Sequence, residues 1–118
     1  MYLNLTDSYK YSHYNQYPQG TEIVHSYMES RGGEYDEIVF FGLQYYLKKY
    51  LTDYQLTDTE VLQLERNLTR HGVPCNAEGF AKLLKQEGCP VRIYAVPEGS
   101  IQAPNTPLMV VENTKPEF

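Results

Sequence analysis

The sequence has no tryptophan, only two cysteines and no run of lysine and arginine. With 15 acidic against 10 basic side chains and a formal net charge of -5, it lacks the basic surface that grips a phosphate backbone, so no nucleic-acid partner is expected. Cys75 and Cys89 form no CxxC pair, and His13, His25 and His71 are scattered, so reduced thiols and no metal ligation are expected. The longest apolar runs, such as Val39 to Leu43, are far too short to span a bilayer, and Met1-Tyr2-Leu3-Asn4 is no basic segment leading into an apolar one. A cytoplasmic chain without a membrane partner is the expectation. There is also no GxxxxGK loop, no GxSxG elbow, no HExxH and no pair of carboxylates at helical spacing around an evident pocket. A complete enzyme is therefore not expected in these residues alone, and no catalytic residue is assigned.

What remains is a chain of 118 residues, 42 % hydrophobic and 21 % charged, the composition of a single globular domain. Its unusual component is tyrosine, 12 in all, five of them at Tyr2, Tyr9, Tyr11, Tyr14 and Tyr17. A large flat apolar body with a polar tip suits either a small core or a surface that a ligand or another chain covers.

Thr6 ahead of Asp7-Ser8-Tyr9 predicts a hydroxyl-capped helix running to Tyr17-Pro18, with Tyr9, His13 and Gln16 on one face. Thr21 to Arg31 alternates as a strand, Ile23, His25, Tyr27 and Glu29 opposing Val24, Ser26 and Met28, until Gly32-Gly33 breaks it. Asp36 to Leu51 has helical spacing, with Val39, Leu43, Tyr46, Leu47 and Tyr50 as one stripe. Thr57-Asp58-Thr59-Glu60 reads as a capping box opening a second helix on Val61, Leu64 and Leu68, ended by His71-Gly72. Asn76 caps a third helix that buries Phe80, Leu83 and Leu84 and closes at Gly88. Strands follow at Val91 to Val96 and Pro107 to Glu112, separated by a loop rich in turns. The fold class is α+β: a small mixed or antiparallel sheet with three to four helices. No further element follows to cover that sheet, so partners outside these residues are expected.

Two local features carry chemistry. Asp7-Ser8-Tyr9-Lys10 sets a carboxylate and an aromatic ring two positions apart on a short polar helix. Arg31 ends a strand before Gly32-Gly33, where a guanidinium can fork onto a phosphate while glycines allow close approach. A capping acid beside a surface ring, and an ordinary solvated charge, are the plainer alternatives.

These residues resemble the N-terminal region of the nicotinamide phosphoribosyltransferase family in its bacterial form. The resemblance is carried by Thr6-Asp7-Ser8-Tyr9-Lys10, His13-Tyr14, Gln16-Tyr17-Pro18, and Ser26-Tyr27-Met28-Glu29-Ser30-Arg31. It continues in Phe40-Phe41-Gly42-Leu43-Gln44-Tyr45, Ala95-Val96-Pro97-Glu98-Gly99-Ser100 and Val111-Glu112-Asn113-Thr114, in order along the whole chain. The resemblance implies that residues 1–118 form the N-terminal domain of an enzyme that joins nicotinamide to phosphoribosyl pyrophosphate, giving nicotinamide mononucleotide and pyrophosphate in NAD salvage. It implies a homodimer of much longer subunits, with Mg²⁺ and ATP used by the full-length enzyme and neither bound by this chain alone. The catalytic barrel of the family lies downstream of the matched region, so the isolated piece is expected to be inactive.

The family places its active sites at the dimer interface, where the N-terminal region lends residues to the partner. By resemblance Tyr9 stacks on the nicotinamide ring, Asp7 lies beside it, and Arg31 reaches the phosphate region. No role falls on His13 or His25, which are expected to be structural. Arg31-Gly32-Gly33-Glu34-Tyr35 is shorter than the corresponding loop of animal members, pointing to a bacterial or phage origin. Two other readings stand beside this one: a free-standing interaction module of the same fold, and the N-terminal domain of an enzyme that takes nicotinate.

Overall fold

The computed structural model describes residues 2–53 and 55–118; Met1, Tyr54 and the side chain of Tyr2 lie outside that description. Strand β5 (Pro107–Asn113) organises the larger sheet, pairing antiparallel with β1 (His25–Glu29) on one side and β3 (Val91–Ala95) on the other. The last strand is thus central, and the edges are β1 and β3. The register sets His25 and Arg92 against Glu112, and Tyr27 and Tyr94 against Val110. Glu112 accepts from Arg92 Nη1 at 3.1 Å and meets His25 Nδ1 at 3.5 Å, an exposed row of the kind that adds little stability.

The alternation predicted for Thr21 to Arg31 holds where there is a partner strand, from His25 to Glu29. Before it, the Val24 N–H bonds to the side chain of Asn113 at 2.8 Å instead of to a backbone neighbour. The two C-terminal strands fall where expected, within one residue at their ends.

The predicted helix from Asp36 to Leu51 is corrected. Its first third is extended: β2 (Ile38–Val39) pairs with β4 (Ile101–Gln102), a short strand the sequence reading missed. Branched and aromatic residues at Ile38 to Phe41 favour a pleated backbone, and a partner 62 residues away completes it. Gly42 then turns the chain at φ 97°, a conformation costly for any residue with a Cβ, and only after it does α1 (Leu43–Leu47) begin, running on into a π-helical turn at Lys48–Thr52. There Lys49 Nζ donates to the Tyr45 hydroxyl at 2.8 Å and sits over the Tyr45 and Tyr50 rings; hydrogen bonding to Tyr45, then to Tyr50, pushes the ammonium pKa up.

Helix α2 (Asp58–His71) has the expected capping box: the Glu60 N–H donates to Thr57 Oγ1, and the Thr57 N–H donates to the Glu60 carboxylate. Leu64 and Leu68 are fully buried on its inner face, Val61 is half-buried, and Gly72 ends it in the left-handed region. Helix α3 (Ala77–Leu83) is capped by Asn76 as read, through the Gly79 N–H at 2.9 Å, but stops at Leu83 and not at Gly88.

The core is thin. Among the described residues, Phe40, Leu64, Leu68 and Leu108 are the buried apolar side chains, whereas Phe41 is 81 % exposed, Tyr35 74 % and Val39 62 %. The chain exposes 8778 Å² where a free-standing domain of 13.7 kDa exposes about 6,600 Å². Its radius of gyration, 16.2 Å, likewise exceeds the roughly 13.5 Å of a compact domain of this length. No helix of the described residues is long and apolar enough to cross a membrane.

Candidate functional site

The segment carrying Asp7 and Tyr9 is a 3-10 helix over Ser8–Asn15, wound more tightly than the α-helix the spacing suggests. Asp7, not Thr6, takes the N-cap position, with extended backbone (φ -67°, ψ 136°) and a side chain that makes no capping bond. Its carbonyl accepts from the Lys10 N–H at 3.1 Å, and its carboxylate stays at the exposed surface. Tyr9 is 56 % exposed, with its ring centroid 5.6 Å from that of His13. Behind it the Ser12 hydroxyl donates to the Tyr9 carbonyl at 2.7 Å and accepts from Gln16 Nε2 at 3.2 Å. Of the face expected to hold Tyr9, His13 and Gln16, the first two meet, while Gln16 braces Ser12.

Tighter winding has a second effect. Three residues per turn bring Tyr11 and Tyr14 into one row, and both line a cavity of about 770 Å³ with Tyr17 just past the helix end and with Lys10, Phe80, Leu83 and Val111. Tyr11 anchors the helix: its hydroxyl donates to the Leu3 carbonyl, its ring lies 6.2 Å from Phe80, and burial, with the Cys75 thiol nearby, raises its pKa. Burial also pushes the Cys75 thiol up, with Glu65 adding to the effect. Sequence reasoning missed this cavity, though the spacing 11, 14, 17 was its available signal. Asp7, Tyr9 and Arg31 are not among its lining residues.

Arg31 is exposed and stands two positions past the end of β1. The preceding Ser30 is fixed on both sides, its carbonyl accepting from the Asn105 N–H at 2.7 Å and its hydroxyl from the Gly32 N–H at 3.3 Å. Gly32 turns the chain at φ 88°, and a Cβ there would come within 3.7 Å of Pro104. The chain therefore presents Asp7 and Tyr9 together on one helix and Arg31 separately at a strand end. No hydrogen bond or ion pair among the described residues joins Arg31 to the other two. Nor do three or more His, Cys, Asp or Glu side chains gather there closely enough to hold a metal ion.

The remaining motif residues clip the fold. Phe40 exchanges backbone bonds with the 99–100 turn, accepting from the Gly99 N–H at 2.7 Å and donating to the Ser100 carbonyl at 3.0 Å. Asn113 Nδ2 donates to the carbonyls of Glu22 and Lys115 while its oxygen holds Val24.

The family model described as nicotinamide phosphoribosyltransferase, N-terminal domain, matches residues 1–93. The chain belongs to this family. It is 42 % identical over 111 residues to a nicotinamide phosphoribosyltransferase of Xanthomonas campestris, a match covering 92 % of this chain and 24 % of that protein. A nicotinamide phosphoribosyltransferase of Acinetobacter baylyi is 33 % identical over 98 % of this chain and 26 % of its own length. Nicotinate phosphoribosyltransferase 2 of Arabidopsis thaliana is 39 % identical over 82 residues, 69 % of this chain and 13 % of that protein. The chain spans about a quarter of the length of the bacterial relatives, so the family membership is that of an N-terminal domain.

Proposed function

We propose that this chain is the N-terminal domain that completes the active site of a nicotinamide phosphoribosyltransferase, an enzyme of NAD salvage working as a cytoplasmic homodimer. The observation that carries this reading is an exposed Tyr9 ring two positions after an exposed Asp7 carboxylate that makes no capping bond, at the head of a braced helix. Nicotinamide attacks the ribose carbon through its ring nitrogen, so the pyridine becomes a pyridinium as the bond to pyrophosphate breaks. An electron-rich tyrosine face favours that cation over the neutral base, and a carboxylate beside it favours the developing charge while repelling nicotinate. Tyr9 supplies the face and Asp7 the carboxylate. The planar fork of Arg31 suits the phosphoryl groups of phosphoribosyl pyrophosphate held across the dimer interface. Mg²⁺ and ATP are expected with the full-length enzyme, and no residue of this chain is given a role in holding either. The surface excess of roughly 2,200 Å² supports a domain that other parts of an enzyme cover, and the isolated chain is expected to be inactive.

The test is a chimera in which this chain replaces the matched N-terminal quarter of the Xanthomonas campestris relative. Nicotinamide mononucleotide should form, and Tyr9→Ala should lower kcat/KM for nicotinamide by about tenfold or more, the worth of a stacked ring. Arg31→Ala should raise the KM for phosphoribosyl pyrophosphate to a similar degree. Full activity in both variants would refute the assignment, and a preference for nicotinate would move the chain to the sister enzymes.

A further inference from the structure

We propose that His13 is a positioning residue for Tyr9, a rest against which the tyrosine ring is held at a tilt so that its open face is presented to the nicotinamide. This inference rests on the reading of Tyr9 given above. An exposed tyrosine turns about two torsions, and its stacking on a ligand is weakened by every orientation that must be frozen out on binding. The backbone of Tyr9 is fixed by Ser12 and Gln16, but those bonds leave the ring free to turn. The ring contact recorded for Tyr9 is with His13, at 5.6 Å between centroids and 49° between planes. That tilt lies between the stacked and edge-to-face arrangements, at a separation within the range over which aromatic pairs attract, and it leaves Tyr9 56 % exposed.

The contact is not a passive result of helix geometry. In a 3-10 helix residues four apart are turned by about 120° from one another, so the two side chains must lean together to touch. His13 is half-buried whereas Tyr9 is exposed, so the imidazole is the more enclosed member of the pair. The tyrosines at 11, 14 and 17 meanwhile line the cavity that Tyr9 does not. One row of the helix anchors it, and a different side presents the ring.

The experiment uses the same chimera, with nicotinamide varied at saturating phosphoribosyl pyrophosphate. His13→Leu, of similar volume but without a ring, should raise the KM for nicotinamide roughly three- to tenfold, and kcat should stay within about twofold. His13→Phe should restore the KM, and His13→Leu should add nothing in a Tyr9→Ala background. If Tyr9→Ala raises the KM but His13→Leu does not, the proposal fails while the reading of Tyr9 survives. An equal effect of His13→Leu with and without Tyr9 also overturns it, because His13 then acts elsewhere. An unchanged kcat/KM for nicotinamide in Tyr9→Ala removes the reading of Tyr9 and this inference together. Should His13→Leu fail to fold, His13→Phe and His13→Asn decide: a KM that follows the ring supports the proposal, and one that follows the polar head refutes it.

Discussion

The carboxylate of Glu98 accepts a hydrogen bond at 2.6 Å from the backbone N–H of Gln44, 54 residues earlier in the chain. Gln44 lies in the first turn of α1, where N–H groups have no partner within the helix, and its Ncap is Gly42, which has no side chain to offer. Glu98 does from a distant loop what a serine or aspartate does locally. Glu98→Ala should therefore destabilise the fold by about 1 kcal/mol, the usual cost of a lost cap, and Glu98→Gln, which keeps an acceptor oxygen, by less. Urea unfolding of the chain or the chimera checks the order of the two variants.

Asn113 is the second long-range tie, holding Val24 by its oxygen and the carbonyls of Glu22 and Lys115 by its amide. Asn113→Asp keeps the acceptor and loses both donors, and Asn113→Leu loses everything at similar volume. The expected order of stability is Asn above Asp above Leu, with the last costing roughly 1–3 kcal/mol. Exchange of the Val24 amide hydrogen should quicken in Leu and stay protected in Asp.

Stability should fall in alkali. Cys75 and Tyr11 both hold their protons above their ordinary values of 9.0 and 10.0, chiefly because burial disfavours the charged form. The unfolded chain releases these protons first, so the contribution is full below the ordinary values and is lost as pH rises through the folded ones. Tyr11→Phe keeps the ring against Phe80 and removes one of the two groups, along with the bond to Leu3. Its melting temperature should be lower at neutral pH and decline less steeply above about pH 9. A steeper decline would contradict the assignment.

The outward face of the β2–β4 ribbon bears Val39 and its cross-strand partner Ile101, 62 % and 61 % exposed, with Phe41 just beyond. Apolar groups left largely exposed add little to folding but promote association. Phe41→Lys with Ile101→Lys should change stability by no more than about 0.5 kcal/mol and lower self-association of the isolated chain in sedimentation velocity.

Features read correctly from the sequence are those whose cause lies within a few residues. The capping box at Thr57 to Glu60, the Asn76 cap, the Leu64 and Leu68 stripe and the Gly72 stop are all local arrangements, and each is where the sequence pattern puts it. The family motifs were legible too, and with them Asp7 and Tyr9 as neighbours on a short helix.

What only the tertiary structure decided depends on partners far away in the chain. Val39 matches a helical stripe in isolation, yet Ile101 and Gln102 pull it and Ile38 into a ribbon, because a pleated, aromatic-rich segment gains more from a partner strand than from one more helical turn. The central place of β5, the caps that Glu98 and Asn113 supply, and the tyrosine-lined cavity arise in the same way. Even the winding of the Ser8–Asn15 helix belongs here: Tyr11 is drawn to Leu3 and Phe80, and the tighter turn that aligns it with Tyr14 leaves Tyr9 on another side, against His13. Composition and spacing determined which residues could serve a site, and packing at long range determined which way they face.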